Sequence, residues 1–393
     1  MKKIIPYAKQ YIDSSDIAEV SKALKQDFIT QGPIIEKFEK KISKFTTSKF
    51  SVAGNSATSL LHISCLALGL KKGDYVWTTS NSFLSSATCA ILCGAKVDFI
   101  DIDEKDFNLS ISFLEKKLIK AKKNKKLPKI IIAVSLGGLP CDMKELKKLS
   151  SKYKFKIIED ASHSLGAFYD KKPVGSNIYS DITIFSFHAV KIITTGEGGM
   201  ATTNDSHIYK NLRLLRSQGV TRNQKDFKNK KNPTWYYEQK YLGLNYRITD
   251  FQAALGLSQI KKIKKFITKR NHLALTYRKK LKNLPLDFQH ISKIKKSSYH
   301  LFIARLKCKN LKKTRDELYN FLKKKGVICN LHYIPIYKHP FFKSLKIKDK
   351  NYPNTEKYYN SALTLPLYYS MKNSEINYVI KSIKLFFSNR YGK

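Results

Sequence analysis

The stretch Ile130-Ile131-Ile132-Ala133-Val134 is apolar at every position, with no polar residue on either side of the alternation. A strand covered on both faces reads this way, because successive side chains point to opposite faces and neither meets water. Working outward, short β-rich runs recur around it. They are Val76-Trp77-Thr78, Lys96 to Ile100, Phe155 to Ile158, Ile182 to Phe187 and Met200 to Thr203, with the central run extended from Ile130 to Leu136. Helical patterns fill the gaps: Leu60, Leu61, Ser64, Cys65 and Leu68 share one face, and Met143, Leu146 and Leu149 share another. Strand and helix alternating from about residue 50 to 205 predict an α/β fold, a mostly parallel central sheet with helices on both faces. Ligands of such sheets bind at the carboxyl ends of the strands.

Beyond this region the pattern changes. Residues 221–240 are rich in Lys and Asn and end in Trp235-Tyr236-Tyr237, which predicts a long surface loop. Helices are expected over 249–263 and 265–283. After Pro285 a smaller α+β unit is expected, with a strand near Tyr299 to Leu306, a helix near 311–325 and a strand near Val327 to Tyr333. The spacing of Ile376, Val379, Ile380, Ile383 and Phe387 marks a last helix. These readings divide the chain into a large α/β domain over 1–250 and, over 251–393, linking helices with a small C-terminal α+β domain.

Charge and cysteine usage narrow the function classes. The 393 residues include 74 Lys plus Arg against 30 Asp plus Glu, a formal net charge of +44. A basic face can bind nucleic acid or anionic lipid. Yet only nine of the cations are Arg, the first being Arg213, whereas base reading favours the planar guanidinium fork. Lysine spread along the whole chain counts against a nucleic-acid partner and suits an anionic substrate. No run of 18 apolar residues exists, which rules out a helical membrane span. The basic start has no apolar segment behind it, so a secretory signal is not expected and the cytoplasm is the expected location. None of the six cysteines forms a C-x-x-C pair, and no metal is expected. Cys89 and Cys93 could share a helix face, but their apolar neighbours point to buried thiols.

Four features fall at predicted strand ends. Asn55-Ser56-Ala57-Thr58-Ser59 precedes a helix and can be a cap or a phosphate cup, since free N–H groups and the helix dipole favour an anion. Taken alone, the cap is the stronger reading. Ile157-Ile158-Glu159-Asp160-Ala161-Ser162-His163 ends an apolar strand in a carboxylate; buried and ionised, it needs a cationic or N–H partner, or else it caps the next turn. Phe185-Ser186-Phe187-His188-Ala189-Val190-Lys191 places a lysine just after a buried strand and before the glycine-rich Thr194-Thr195-Gly196-Glu197-Gly198-Gly199. Enclosure lowers an amine's pKa and makes it nucleophilic toward carbonyls, although most of the lysines here are solvated. Phe83, after Thr78-Thr79-Ser80-Asn81-Ser82, is core filler or a stacking plate.

Taken together and in order, these segments resemble the nucleotide-sugar aminotransferases of the DegT/DnrJ/EryC1/StrS family. So do Asp27-Phe28-Ile29-Thr30-Gln31-Gly32-Pro33, Gly243-Leu244-Asn245-Tyr246-Arg247 with Gln252-Ala253-Ala254-Leu255-Gly256, and His332-Tyr333-Ile334-Pro335-Ile336-Tyr337. The resemblance runs from about Pro6 to Phe387. It implies dependence on pyridoxal 5'-phosphate (PLP), the aspartate-aminotransferase-like fold (PLP fold type I) and a homodimer with shared active sites. It implies catalytic roles for Lys191, through a Schiff base and proton shuttling, and for Asp160, which would pair with the pyridinium nitrogen. Phe83 would stack on the ring. Ser56, the Ala57 N–H, Thr58 and Ser186 would hold the phosphate, with Asn245 reaching it from the neighbouring subunit. His163 stands where the family commonly has Gln and would contact the ring face or its 3-hydroxyl. Ala57 replaces the Gly of the usual cup.

The segments Asn-Ser-Ala-Thr-Ser, Asp-Ala-Ser-His-Ser and Phe-Ser-Phe-His-Ala-Val-Lys are most similar to the branch acting in pseudaminic acid biosynthesis. That branch moves the amino group of L-glutamate to C4 of UDP-2-acetamido-2,6-dideoxy-4-keto-L-arabino-hexose. Tyr7, Gln31, Arg247, His332 and Tyr333 are candidates for binding the UDP-linked 4-keto sugar, or equally interface or core polar residues. Three other readings compete: an aminotransferase for another 3-keto or 4-keto nucleotide sugar, a PLP-dependent sugar dehydratase, and a nucleic-acid-binding regulator. Such dehydratases carry His in place of the lysine, so Lys191 argues against the second; the complete set of cofactor residues argues against the third.

Overall fold

The computed structural model describes residues 4–228, 232–308, 310–344 and 351–391. Residues 1–3, 229–231, 309, 345–350 and 392–393 of the spans discussed above lie outside the described residues. Seven strands form the central sheet: β1 (Phe50–Gly54), β2 (Tyr75–Thr79), β3 (Lys96–Ile100), β4 (Ile130–Val134), β5 (Lys156–Asp160), β6 (Ile182–Ser186) and β7 (Gly199–Thr203). Their order is β1-β7-β6-β5-β4-β2-β3. Neighbours run parallel from β3 across to β6, and β7 is antiparallel to both β6 and β1.

The unalternating run of β4 is explained by what covers it. Ile130 and Ile132 pack in one apolar cluster with Leu60, Leu61 and Cys65 of the helix Ala57–Ala67 and Leu212 of the helix Ser206–Arg216. Ile131 and Ala133 pack in another with Leu114 and Leu118 of the helix Ile111–Lys123 and Leu146 of the helix Met143–Tyr153. Alternate residues of one strand thus enter two cores, one on each side of the sheet. The α/β expectation holds, and the strand Phe50–Gly54, absent from the sequence reading, completes the sheet.

Three expectations are corrected. The two helices placed at 249–263 and 265–283 are one, Asp250–Leu281, started by a Thr249–Gln252 capping box. No Gly or Pro occurs between Gly256 and Pro285, so nothing in the chain breaks it. The strand expected near Val327 to Tyr333 is only two isolated bridges, Ile5 with Val327 and Asn330 with Thr364. Its carbonyls and amides are divided between two different partners, so no ladder propagates. The loop at 221–240 holds a short ladder, Val220–Thr221 with Glu238–Gln239, and a single turn at Gln224–Asp226. The C-terminal part has an antiparallel sheet of Leu286–Phe288, Phe302–Leu306 and Ala362–Leu365, packed on the helix Asn373–Tyr391 through Val379 and Ile383. Among the described residues no helix is long and apolar enough to cross a membrane.

Candidate active site

The carboxyl ends of β4, β5 and β6 and the segment after β1 meet at one cavity of about 560 Å³. Its floor begins where β1 ends. Ser56 is extended (φ −164°, ψ 160°) and caps the helix Ala57–Ala67, its Oγ accepting from the Ser59 N–H at 3.1 Å. That helix has no acidic residue in its first turn, so its positive end and the free N–H groups there are left for an external anion. The cap reading holds, and the same helix start is where an anion would be favoured. Gly199 makes room for it: a Cβ at this position would lie 2.7 Å from the Ala57 nitrogen and 2.9 Å from the Phe185 oxygen. Gly199→Ala is expected to push the cup open, lowering stability by about 1–3 kcal/mol and weakening PLP binding. Thermal melting and a PLP titration check this, and unchanged values in both would remove Gly199 from that role.

Asp160 is the last residue of β5 and only 4% exposed. Ser86 Oγ donates to its Oδ2 at 2.7 Å, and Ser162 donates to Oδ1 from Oγ at 2.5 Å and from its backbone N–H at 3.2 Å. The carboxylate caps the Ser162 turn, the plainer of the two sequence readings, and it also lines the cavity. Glu159 points to the opposite face of the strand, where Ser135 and Thr183 donate to it. Burial, reinforced by Asp160's charge, pushes Glu159 up to about 7, against the donated hydrogen bonds. The carboxylate pair is thus split between a cavity-facing member and a core member.

Lys191 stands on the connection from β6 to β7. Phe187 N–H donates to the Gly198 oxygen at 2.8 Å and Thr195 N–H to the Phe187 oxygen at 3.0 Å, closing a loop that carries Lys191 at its far end. Burial pushes the Lys191 amine down to about 8 from 10.5, opposed by the charge of Asp160. Phe83, 56% exposed, lies on the cavity wall with its ring 6.1 Å from that of Tyr333.

The remaining wall comes from the C-terminal part of the chain: His300, Asn330, Leu331, His332 and Tyr333, joined by Tyr7. His332 Nδ1 is 2.9 Å from Thr364 Oγ1, and burial, aided by Lys191's charge, holds its ring down at about 3. Of the residues singled out by sequence, Tyr7, Ser56, Ala57, Thr58, Phe83, Asp160, His163, Ser186, Lys191, His332 and Tyr333 line this cavity. Gln31, Asn245 and Arg247 do not line it; Gln31 and Asn245 are exposed. Sequence reading missed Ser86 and Ser162, which hold Asp160, and His300, whose ring is 4.5 Å from that of His163. Ser162 sits within a quoted segment and could have been found as an Asx-turn donor. His300 carries no local signal; only the fold brings it to Lys191.

The chain is similar to known proteins along nearly its whole length. The chain is 36% identical over 381 residues to the UDP-4-amino-4,6-dideoxy-N-acetyl-beta-L-altrosamine transaminase of Campylobacter jejuni (strain 81-176), covering 96% of each. Among solved structures it is similar to Helicobacter pylori PseC, an aminotransferase involved in the biosynthesis of pseudoaminic acid. The TM-score is 0.89 at 29% identity, over 98% of this chain and all of that one. It is also similar to the PLP form of Spr1654 from Streptococcus pneumoniae, a sugar aminotransferase by description, with a TM-score of 0.89 at 27% identity over 98% and 99% of the two chains. The profile of the DegT/DnrJ/EryC1/StrS aminotransferases matches residues 10–384, and with relatives of this identity along nearly the whole chain, the protein belongs to that family.

Proposed function

We propose that this aminotransferase moves the amino group of L-glutamate to C4 of UDP-2-acetamido-2,6-dideoxy-4-keto-L-arabino-hexose, giving UDP-4-amino-4,6-dideoxy-N-acetyl-beta-L-altrosamine. One observation carries the reading: an anion cup, a buried carboxylate and a desolvated lysine face one cavity at the ends of the parallel strands. The likeness to the Campylobacter enzyme and to PseC supports the choice of sugar.

Aminotransferases of this family depend on PLP. The residues present fit that cofactor. The helix N-terminus with Ser56, Thr58 and Ser186 suits a phosphate dianion, and the absent side chain at Gly199 lets the backbone close up behind that helix start. Asp160 suits a protonated ring nitrogen, Phe83 offers an uncovered aromatic face, and Lys191 suits the aldehyde carbon. When bound, PLP supplies an electron sink for the carbon that loses its proton. The protein's share would be positional: Asp160 would hold the proton on the ring nitrogen, and Lys191 Nζ would carry the proton from the donor's α-carbon to the cofactor carbon. Tyr7, His332 and Tyr333 face the sugar. Gln31, Asn245 and Arg247 are read as completing a partner subunit's site in a homodimer, Asn245 toward the phosphate.

The test is the visible spectrum of PLP-reconstituted protein before and after L-glutamate, followed by mass spectrometry of products from 4-keto and 3-keto nucleotide sugars. Loss of the PLP band with growth of a pyridoxamine band is expected, then amination of the UDP-linked 4-keto sugar. A band that ignores glutamate would overturn the donor. Turnover confined to a different nucleotide sugar would overturn the acceptor.

A further inference from the structure

His163 has both ring nitrogens committed to protein. The Gly137 N–H donates to Nδ1 at 3.2 Å, and the Tyr333 hydroxyl lies 3.0 Å from Nε2. A backbone N–H can only donate, so Nδ1 is the bare, accepting nitrogen. Burial, and then the charge of Lys191, hold the ring well below the usual imidazole range, so it is neutral and its single proton sits on Nε2. That proton is given to the Tyr333 oxygen. The phenol is therefore an acceptor toward His163, and its own hydrogen must point elsewhere.

The surroundings say where. The His300 ring covers His163 at 4.5 Å, and the Tyr333 backbone is fixed by its N–H donating to Asn81 Oδ1 at 2.9 Å. Burial, with Asp160's charge, raises the phenol's pKa, so Tyr333 stays protonated. Among the described residues no second protein group takes the phenolic hydrogen, and Tyr333 lines the cavity with its ring 6.1 Å from that of Phe83.

We infer that Tyr333 is an O–H donor built into this site for an acceptor oxygen of the bound ligand, and that His163 is the positioning residue that sets the direction of that O–H. His163 then meets a ligand only through its ring face, not through a ring nitrogen. The inference rests on the aminotransferase reading, within which two oxygens share the required chemistry: the phenolic oxygen of PLP and the ketone oxygen of the sugar.

The test compares full-length, PLP-reconstituted wild type with Tyr333→Phe, His163→Leu and His163→Gln. Three quantities are read: PLP affinity, the pH midpoint of the cofactor's visible band, and kcat and KM for the keto sugar. Tyr333→Phe and His163→Leu are expected to share one defect of roughly ten- to a hundred-fold, the usual effect of losing a hydrogen bond to a polarised oxygen. His163→Gln keeps an acceptor for Gly137 and a donor for Tyr333, and is expected to recover most of it. A defect in PLP affinity with a moved pH midpoint assigns the PLP oxygen. A fall in kcat/KM with the midpoint unmoved assigns the sugar ketone.

Tyr333→Phe matching wild type in all three quantities would overturn the donor. A Tyr333→Phe defect that folded His163→Leu does not share would overturn the positioning role. If His163→Leu does not fold, a folded His163→Gln protein that falls well short of wild type in these quantities overturns that role as well. Wild type that ignores glutamate would instead overturn the underlying reading, a failure visible without any Tyr333 variant.

Discussion

Lys191→Ala is expected to abolish transamination, by at least roughly 10⁴-fold, while still binding PLP reversibly. The size follows from what the residue does. Burial brings its amine down to about 8, close to working pH, and among the described residues no other lysine lines the cavity. On the proposed reading, the variant loses both the attachment point and the proton carrier. PLP affinity survives in part because the Ser56–Thr58 cup, Phe83 and Asp160 are untouched. Borohydride treatment followed by peptide mapping checks this: wild type retains the cofactor on the peptide containing Lys191, and the variant retains none there. Sustained turnover by the variant would remove Lys191 from the chemistry.

The pH dependence of attachment gives the same residue a second signature. Only the neutral amine attacks a carbonyl, so in wild type the rate of PLP attachment rises about tenfold per pH unit up to the amine's pKa and then levels off. The plateau is expected to begin near 8, not near the ordinary lysine value of 10.5.

Much of this site was legible because its residues sit at the ends of strands whose patterns are unambiguous. Ile130 to Val134 reads as a doubly covered strand, and Asp160 and Lys191 follow the β-rich runs Phe155 to Ile158 and Ile182 to Phe187. What the sequence hid has physical causes. Val327 to Tyr333 has strand-like residues, yet its backbone pairs once with Ile5 and once with Thr364, a long-range division that no local pattern encodes. The break imagined between 263 and 265 had no Gly or Pro behind it. His300 reaches His163 across more than a hundred residues, so its place depends wholly on tertiary packing. Ser86 is one of several small residues in the helix Ser85–Leu92, and only its 2.7 Å contact with Asp160 marks it.

Asp160→Asn is expected to leave a folded protein that has lost roughly 10²- to 10⁴-fold in kcat, about 3–5 kcal/mol of transition-state stabilisation. Shape is preserved, and the Ser86 and Ser162 hydroxyls can reorient to an amide, so the melting temperature should change little. What disappears is the negative charge. A buried carboxylate facing the cavity holds a proton on a ring nitrogen, whereas a neutral amide leaves that nitrogen unprotonated and the electron sink weak. The same substitution has a second consequence of definite sign. Asp160's charge raises the Lys191 amine against burial, so without it the amine falls below about 8, and the plateau for PLP attachment moves to lower pH. A merely structural role would give neither effect in a protein that melts normally. Asp160→Asn with wild-type kcat, or with the attachment plateau moved to higher pH, would show that the carboxylate does not act on this site through its charge.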